Sequence, residues 1–143
     1  MSRIEARLQS LGIVLPVPPS PVASYVPSVT SGQLVFISGQ VTMAPDSLKY
    51  VGRLGAEISL EDGRAAARLC AVNVVAQLKA ACGDLDRVRH CVKLTVFVNA
   101  APDFTRHPEV ANGASDLIVE IFGEAGRHAR ASVCASSLPR GVA

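Results

Sequence analysis

Aromatic residues are scarce in this sequence of 143 residues, which has no tryptophan, two tyrosines and four phenylalanines. Its core must therefore be built from valine, leucine, isoleucine and alanine. Because 49% of the residues are hydrophobic, an intrinsically disordered chain is excluded. The formal net charge is only +2, and no cluster of lysine and arginine supplies the basic stripe that is typical of nucleic-acid-binding proteins.

Metal-binding and disulfide patterns are also missing. The four cysteines contain no C-x-x-C pair, and the three histidines show no metal-ligand spacing with them. On one predicted helix, Cys70 and Cys82 would lie about 18 Å apart, which is too far for a disulfide. We therefore expect no metal site, and four reduced, mostly buried thiols in a cytoplasmic protein.

Charge is absent from a long N-terminal stretch, since no charged residue occurs between Leu8 and Pro45. Five prolines within the stretch, with many serines and threonines, argue against a membrane-spanning helix. Uncharged strands that are buried in a core or a subunit interface explain this absence of charge better. The N-terminus carries charges of both signs without an apolar run, so we expect neither a signal peptide nor a membrane partner.

The hydrophobic pattern predicts a single α+β domain over residues 1–143, with the order β-β-α-β-α-β. A short amphipathic helix (2–11) and an extended proline-rich segment form an N-terminal extension (1–20). The main elements are expected at 22–30 and 34–41 (a hairpin with a Ser31-Gly32 turn), 59–83 (helix), 88–99 (strand), 108–122 (helix) and 130–138 (strand). Both helices would cover one face of the sheet, which leaves an apolar face for a subunit interface.

The two helices carry recognisable signals. Ser59 is the predicted N-cap of the first, with Asp62 at the capping-box position, and Gly83 ends it. The polar residues of the second helix, including Ser115 and Asp116, are interpreted as a solvated outer face. The expected inward-facing residues are Ala67, Ala71, Val74, Leu78 and Ala81 in the first helix, and Val110, Ala114, Leu117, Ile118 and Ile121 in the second.

Common catalytic motifs are absent as well: there is no P-loop, GxGxxG, GxSxG or HExxH. Arg130 is the one charged residue that stands out. It opens a strand of alanine, serine, valine and cysteine, where nothing nearby in the sequence can neutralise it. A guanidinium in such a place either reaches solvent or binds a carboxylate bidentately. His128, two residues earlier, is interpreted as a turn or surface residue.

Three segments in the right order resemble the RidA/YjgF family, the reactive-intermediate deaminases also labelled L-PSP endoribonucleases. They are SYVPSVTSGQLVFISGQVTMAP, VKLTVFVNAAPDF and RASVCASSLPRGVA, and the resemblance extends over roughly residues 18–143. The last segment keeps the family's arginine eight residues before Leu-Pro, as Arg130 and Leu138 do. The stretch GASDLIVEIFGEAGRHAR is similar to a divergent subgroup.

The resemblance implies a chorismate-mutase-like fold and a homotrimer whose sheets form a central barrel, with sites in the clefts between subunits. Members of the deaminase branch hydrolyse enamine and imine intermediates of small 2-amino acids to the 2-keto acid and ammonia. They need neither a metal nor an organic cofactor. The expected partners are therefore a small imino or keto acid and further copies of the chain.

The resemblance also implies a set of site residues. Arg130 would hold the substrate carboxylate, and Ser132 stands where the deaminase branch has a cysteine. The family's final strand carries a glutamate that would fall about two residues beyond Ala143, so we expect that strand to be absent or truncated. The other residues that the resemblance places at the site are Tyr25, Ser38, Gly39, Gln40 and Asn112.

Three functions stay open at this point. The first is hydrolysis of imines of small 2-amino acids, with Arg130 as the carboxylate anchor. The second is binding or sensing of a small carboxylate in the same pocket without turnover. The third is endoribonuclease activity, which the near-neutral charge and the lack of a histidine pair or metal site disfavour.

Overall fold

A computed structural model describes residues 1–18, 20 and 23–143. Pro19, Pro21 and Val22, in the predicted proline-rich segment and at the start of the predicted first strand, lie outside the described residues. After the first helix, the predicted order β-β-α-β-α-β is confirmed. The helices and strands are α1 (Arg3–Ser10), β1 (Ser28–Ser31), β2 (Leu34–Ile37), α2 (Leu60–Cys82), β3 (Lys93–Asn99), α3 (His107–Phe122) and β4 (Ala129–Ala135).

The strands form two pairs, where the sequence predicted one sheet. Strands β1 and β2 form an antiparallel hairpin, while β3 and β4 run parallel with α3 as the crossover between them. In the part of the chain that the structure describes, no ladder of backbone hydrogen bonds joins the two pairs. Helix α2 contacts the hairpin and α3 contacts β3 and β4, so the packing of α2 on α3 holds the two pairs together.

The strands are shorter than predicted. In the hairpin, Ser31 pairs with Leu34, so the turn residues are Gly32 and Gln33 and not Ser31 and Gly32. Gly32 has a φ of +58°, a conformation that glycine adopts without steric cost. Strand β4 ends at Ala135, before the predicted residue 138, because the chain turns into a short 3₁₀ helix at Pro139–Gly141.

Helix α2 has the predicted ends but a wider buried face. The Ser59 hydroxyl accepts the backbone N–H of Asp62 at 3.1 Å, and Gly83 follows the last turn with a φ of +77°. The predicted apolar stripe is only partly right, because Ala81 is exposed and Val74 and Leu78 are half-buried. Packing against both α3 and the hairpin buries a broader set: Gly63, Ala66, Ala67, Ala71, Asn73, Val75, Ala76 and Gln77.

By length and composition alone, α2 is long and apolar enough to cross a membrane. Here it lies along α3 as a core helix. The crossing is close at Gly113 of α3, where a Cβ atom would lie 2.0 Å from the carbonyl oxygen of Arg64. Only glycine allows this approach of the two backbones. The expected inward residues of α3 are confirmed, because Val110, Ala114, Leu117, Ile118 and Ile121 are all buried.

Helix α1 belongs to the core, although the sequence suggested only an N-terminal extension. Its Ile4 and Leu8 are buried. The Asp86 carboxylate accepts the backbone N–H groups of Ile4 at 2.8 Å and Arg3 at 2.9 Å. These two N–H groups have no partner within their own helix. Their hydrogen bonds, of which that of Ile4 has the larger effect, hold the pKa of Asp86 below its usual value.

All four cysteines are free thiols, but the prediction that most of them are buried is wrong, because Cys70, Cys82 and Cys91 are partly exposed and Cys134 is exposed. Burial raises the pKa of Cys70 to about 12 and that of Cys91 to about 11, so both are protonated at neutral pH. Cys134, in contrast, is exposed on β4.

Candidate functional site

Arg130 lies at the start of β4 on the side covered by α3. It pairs with Leu94 of β3, and successive side chains along a strand alternate between the two faces. Its Nη1 atom donates to Asn112 Oδ1 at 2.8 Å and to Ser115 Oγ at 3.1 Å. These two acceptors are three residues apart and therefore neighbours on one face of α3. The helix thus fixes one end of the guanidinium group.

The opposite edge of the guanidinium is available. Both hydrogens of Nη1 are used by Asn112 and Ser115, whereas Nε and Nη2 of Arg130 donate to no described residue. No ion pair joins Arg130 to a carboxylate in the described part of the chain. The Nε and Nη2 donors form the fork that matches the two oxygens of a carboxylate. This edge of Arg130 can therefore donate to both oxygens of a carboxylate.

His128 extends this network. Its Nδ1 atom is 2.6 Å from the carbonyl oxygen of Gly126, and its Nε2 atom is 2.9 Å from Ser115 Oγ. Because a carbonyl oxygen only accepts, Nδ1 carries the proton, and Nε2 of the neutral ring accepts the Ser115 hydroxyl. Donation therefore runs in one direction, from Arg130 through Ser115 to His128 and on to Gly126.

The network lines a small cavity of about 240 Å³, formed by Ser115, Val119, Arg127, His128 and Arg130. Of its two guanidinium groups, Arg127 is paired with the Glu124 carboxylate at 3.2 Å. Arg130 has no carboxylate partner among the described residues, so its charge favours an anion on this side of the cavity. A larger hollow of about 470 Å³ lies between α1 and the end of α3. That hollow contains none of the hydrogen-bonded residues around Arg130.

Residues 5–141 match the family described as "YjgF/chorismate_mutase-like, putative endoribonuclease". This chain belongs to the YjgF family. The family and the chorismate-mutase-like fold that the resemblance implied are thus confirmed.

Individual proteins are similar over most of the chain. Protein TCP17 of Trypanosoma cruzi is 51% identical over 142 residues, which are 99% of this chain and 89% of that protein. The crystal structure of Atu1372 from Agrobacterium tumefaciens, a protein of unknown function, is 45% identical with a TM-score of 0.90, and the match covers 97% of this chain and 86% of that one. TdcF of E. coli, crystallised with bound serine, is 28% identical with a TM-score of 0.61, covering 88% and 86% of the two chains.

The residues that the YjgF resemblance places on the hairpin side lie apart from Arg130. Tyr25 is exposed, and Gly39 is exposed as well. Ser38 donates its hydroxyl to the Val26 carbonyl at 2.6 Å, and Gln40 Nε2 donates to the Ser38 carbonyl at 3.0 Å. These bonds hold the hairpin exit in shape. Within one chain, none of the four residues lines the Arg130 cavity.

Ser132 shares the helix-facing side of β4 with Arg130, two residues further along the strand. Its hydroxyl oxygen is buried and has no hydrogen-bond partner among the described residues. Ser132 does not line the Arg130 cavity. In the described ranges, no group of three His, Cys, Asp or Glu side chains could hold a metal ion.

Sequence reasoning missed two members of the network. Ser115 and His128 were assigned to the outer face and to a turn, but both are half-buried and hydrogen-bonded to each other. A signal was present: Ser115 follows Asn112 by one helical turn, and His128 immediately precedes the strand that carries Arg130. In a parallel β-α-β unit the helix packs on the strands. Asn112 and Ser115 could therefore have been expected to lie near His128 and Arg130.

Proposed function

We propose that this YjgF-family chain binds small 2-imino acids through their carboxylate and hydrolyses them to the 2-keto acid and ammonia. The observation that carries the proposal is the available Nε/Nη2 edge of Arg130, whose Nη1 atom is held by Asn112 and Ser115. The adjoining cavity of about 240 Å³ suits a molecule of only a few carbon atoms. The serine bound to TdcF is a 2-amino acid and supports this choice of ligand class.

Anchoring the carboxylate is a large part of what this reaction requires. The reacting imine carbon is bonded directly to the carboxylate carbon, so a bidentate grip on Arg130 also fixes the reacting atom. Holding reactants in a productive geometry lowers the barrier by removing the entropic cost of their encounter. Water then adds to the imine carbon, and ammonia leaves.

We further propose that a second copy of the chain completes the site in a homotrimer. Phe97 and Val133 pair across β3 and β4 and are exposed on the face opposite α3, and Phe36 of the hairpin is exposed as well. Burying such a face between subunits removes apolar surface from water. Assembly would also bring the hairpin residues of one subunit to the Arg130 cavity of the next.

Light scattering tests this assembly, with an expected mass of three chains of 14.9 kDa each. A monomer at micromolar concentration would contradict it. Four free thiols support a reducing compartment, and we propose the cytoplasm.

The catalytic test compares the decay of an imine generated by an amino-acid oxidase with the wild-type protein, Arg130→Ala and Arg89→Ala. Arg89 is an exposed arginine outside the cavity and serves as the matched control. We expect acceleration by the wild type and by Arg89→Ala, and none by Arg130→Ala. An unchanged rate in Arg130→Ala would reject the proposal.

Two other outcomes separate the alternatives. Saturable binding of a 2-keto acid without faster imine decay would identify a non-catalytic carboxylate-binding protein. Cleavage of single-stranded RNA that persists in Arg130→Ala would favour the endoribonuclease function named in the family description.

A further inference from the structure

We infer that His128 couples carboxylate binding at Arg130 to proton uptake: a bound carboxylate favours a proton on the His128 ring, and the protonated ring strengthens the binding of the carboxylate. This inference rests on the carboxylate binding of the proposed function and adds to it a dependence on pH. Three features carry it: the acceptors at both ring nitrogens, the Ser115 link between the ring and Arg130, and the charges that face the ring.

The hydrogen bonds of His128 suit both charge states of its ring. In the neutral ring, Nδ1 donates to the Gly126 carbonyl at 2.6 Å, and Nε2 accepts the Ser115 hydroxyl at 2.9 Å. A second proton makes Nε2 a donor, for which Ser115 Oγ becomes the acceptor. Protonation therefore leaves neither ring nitrogen without a partner, and the Ser115 hydrogen turns away from the ring.

The support of Arg130 survives this reversal. A hydroxyl oxygen has two lone pairs, so Ser115 Oγ accepts the protonated ring and still accepts Arg130 Nη1, 3.1 Å away. Asn112 Oδ1 continues to accept the other Nη1 hydrogen at 2.8 Å. The guanidinium group is thus held in the same place in both states of His128, and the two states differ chiefly in charge.

Repulsion between like charges links the ring to the carboxylate. His128 Nε2 and Arg130 Nη1 are separated only by the two hydrogen bonds that both make to Ser115 Oγ, so an imidazolium ring repels the guanidinium. A carboxylate on the Nε/Nη2 edge neutralises the guanidinium and removes this repulsion. Its binding therefore favours the protonated ring.

The other groups around the ring leave Arg130 as the charge that a ligand changes. Arg127 also lines the cavity, but the Glu124 carboxylate pairs with it at 3.2 Å. Helix α3 contributes Ser115 and Val119, which carry no charge, and among the described residues β3 contributes nothing to the cavity lining. Arg130 has no carboxylate partner in the described part of the chain.

His128 acts on the carboxylate through charge and not through contact. The ring lies at the Nη1 end of Arg130, and the carboxylate is expected on the opposite edge. The width of the guanidinium group separates them, so we expect a coupling of about fivefold, at the low end of the usual range between two sites. Linkage requires the same factor in both directions: the carboxylate favours the proton as much as the proton favours the carboxylate.

Calorimetric titration of pyruvate measures this coupling. Pyruvate itself stays ionised across the range in which an imidazole titrates. The wild-type affinity should rise by about fivefold from pH ~8 to pH ~5. Titrations at one pH in buffers of different ionisation enthalpy should show net proton uptake. Because the coupling is electrostatic, added salt should reduce both effects, which a purely structural role of His128 does not predict.

Two variants assign the proton to His128. His128→Gln keeps a polar side chain that does not titrate, so its pyruvate affinity should stay nearly constant with pH and its binding should take up no proton. His90→Gln is the matched control and should behave as the wild type, because His90 is exposed and outside the cavity.

Nuclear magnetic resonance tests the same assignment in the wild type, without a substitution. At about pH 6.5, where an imidazole changes charge, saturating pyruvate should move the His128 ring signals toward those of the protonated form. The ring signals of His90 should not move.

The failures are distinguishable. If the wild type binds pyruvate with the same affinity at both pH values and without proton uptake, the coupling is rejected and the proposed function stands. The coupling is also rejected if the affinity falls toward acidic pH, or if proton uptake persists in His128→Gln. If the wild-type protein does not bind pyruvate at all, the carboxylate site of the proposed function and the coupling fall together.

Discussion

The substitution Gly113→Ala tests the helix crossing that places Asn112 and Ser115 beside Arg130. A Cβ atom at this position would lie 2.0 Å from the carbonyl oxygen of Arg64 and 2.8 Å from its carbonyl carbon, whereas real Cβ contacts stay beyond 3.0 Å. Because the obstacle is backbone and not the end of a flexible side chain, the two helices must move apart by about 1 Å.

The expected cost follows from two opposing effects. Overpacking of a core costs about 1–3 kcal/mol, and we expect the upper end here because the obstacle is rigid. Alanine recovers about 1 kcal/mol through its higher helix propensity. The net loss of about 2 kcal/mol corresponds to a Tm lower by roughly 6–8 °C for a domain of this size.

Thermal unfolding followed by circular dichroism measures this loss, and Gly63→Ala is the matched control. Gly63 is likewise a glycine inside a helix, but its Cβ would meet the Cδ1 end of Leu54 at 2.6 Å, a side chain that can adjust. We expect Gly63→Ala to cost less than about 1 kcal/mol. If Gly113→Ala unfolds at the temperature of the wild type, the close crossing of α2 and α3 is refuted.

Three other predictions concern stability and thiol reactivity. Leu117→Ala, at a fully buried position, should lower the free energy of unfolding by about 2–5 kcal/mol in urea titrations. Hydrogen bonds to α1 lower the pKa of Asp86, so the stabilisation that the Asp86 carboxylate gives the fold is present above pH ~4 and is lost as pH falls through the folded-state pKa. Asp86→Asn should therefore reduce the loss of stability at acidic pH. Cys134 should react rapidly with Ellman's reagent in the native protein, and Cys70 much more slowly, because burial raises the pKa of its thiol.

Helix ends could be predicted because their signals are local. Ser59 and Gly83 lie next to the residues whose backbone groups they complete, and the structure places both at the ends of α2. Strand ends were less accurate, since they depend on partners far along the chain. Strand β4, for example, runs opposite β3 only as far as Ala135, the residue that pairs with Asn99.

The candidate site was predicted in part for the same reason. Arg130 stood out because nothing near it in the sequence neutralises it, and the resemblance added Asn112, which contacts it through a 2.8 Å hydrogen bond. The link between Ser115 and His128 joins residues 13 positions apart, across a helix end and a turn. Neither residue indicates the other by itself, and the signal lies in the order β3-α3-β4, which packs α3 on β4.

The central claim is that Arg130 grips a carboxylate with two donors, and calorimetric titration of pyruvate tests it most directly. A hydrogen bond to a charged group contributes about 1.5–3 kcal/mol, so Arg130→Ala should weaken binding by at least about tenfold. Arg130→Lys keeps the charge without the fork and should restore only part of the affinity. Equal pyruvate affinity in the wild type, Arg130→Ala and Arg130→Lys would contradict the account.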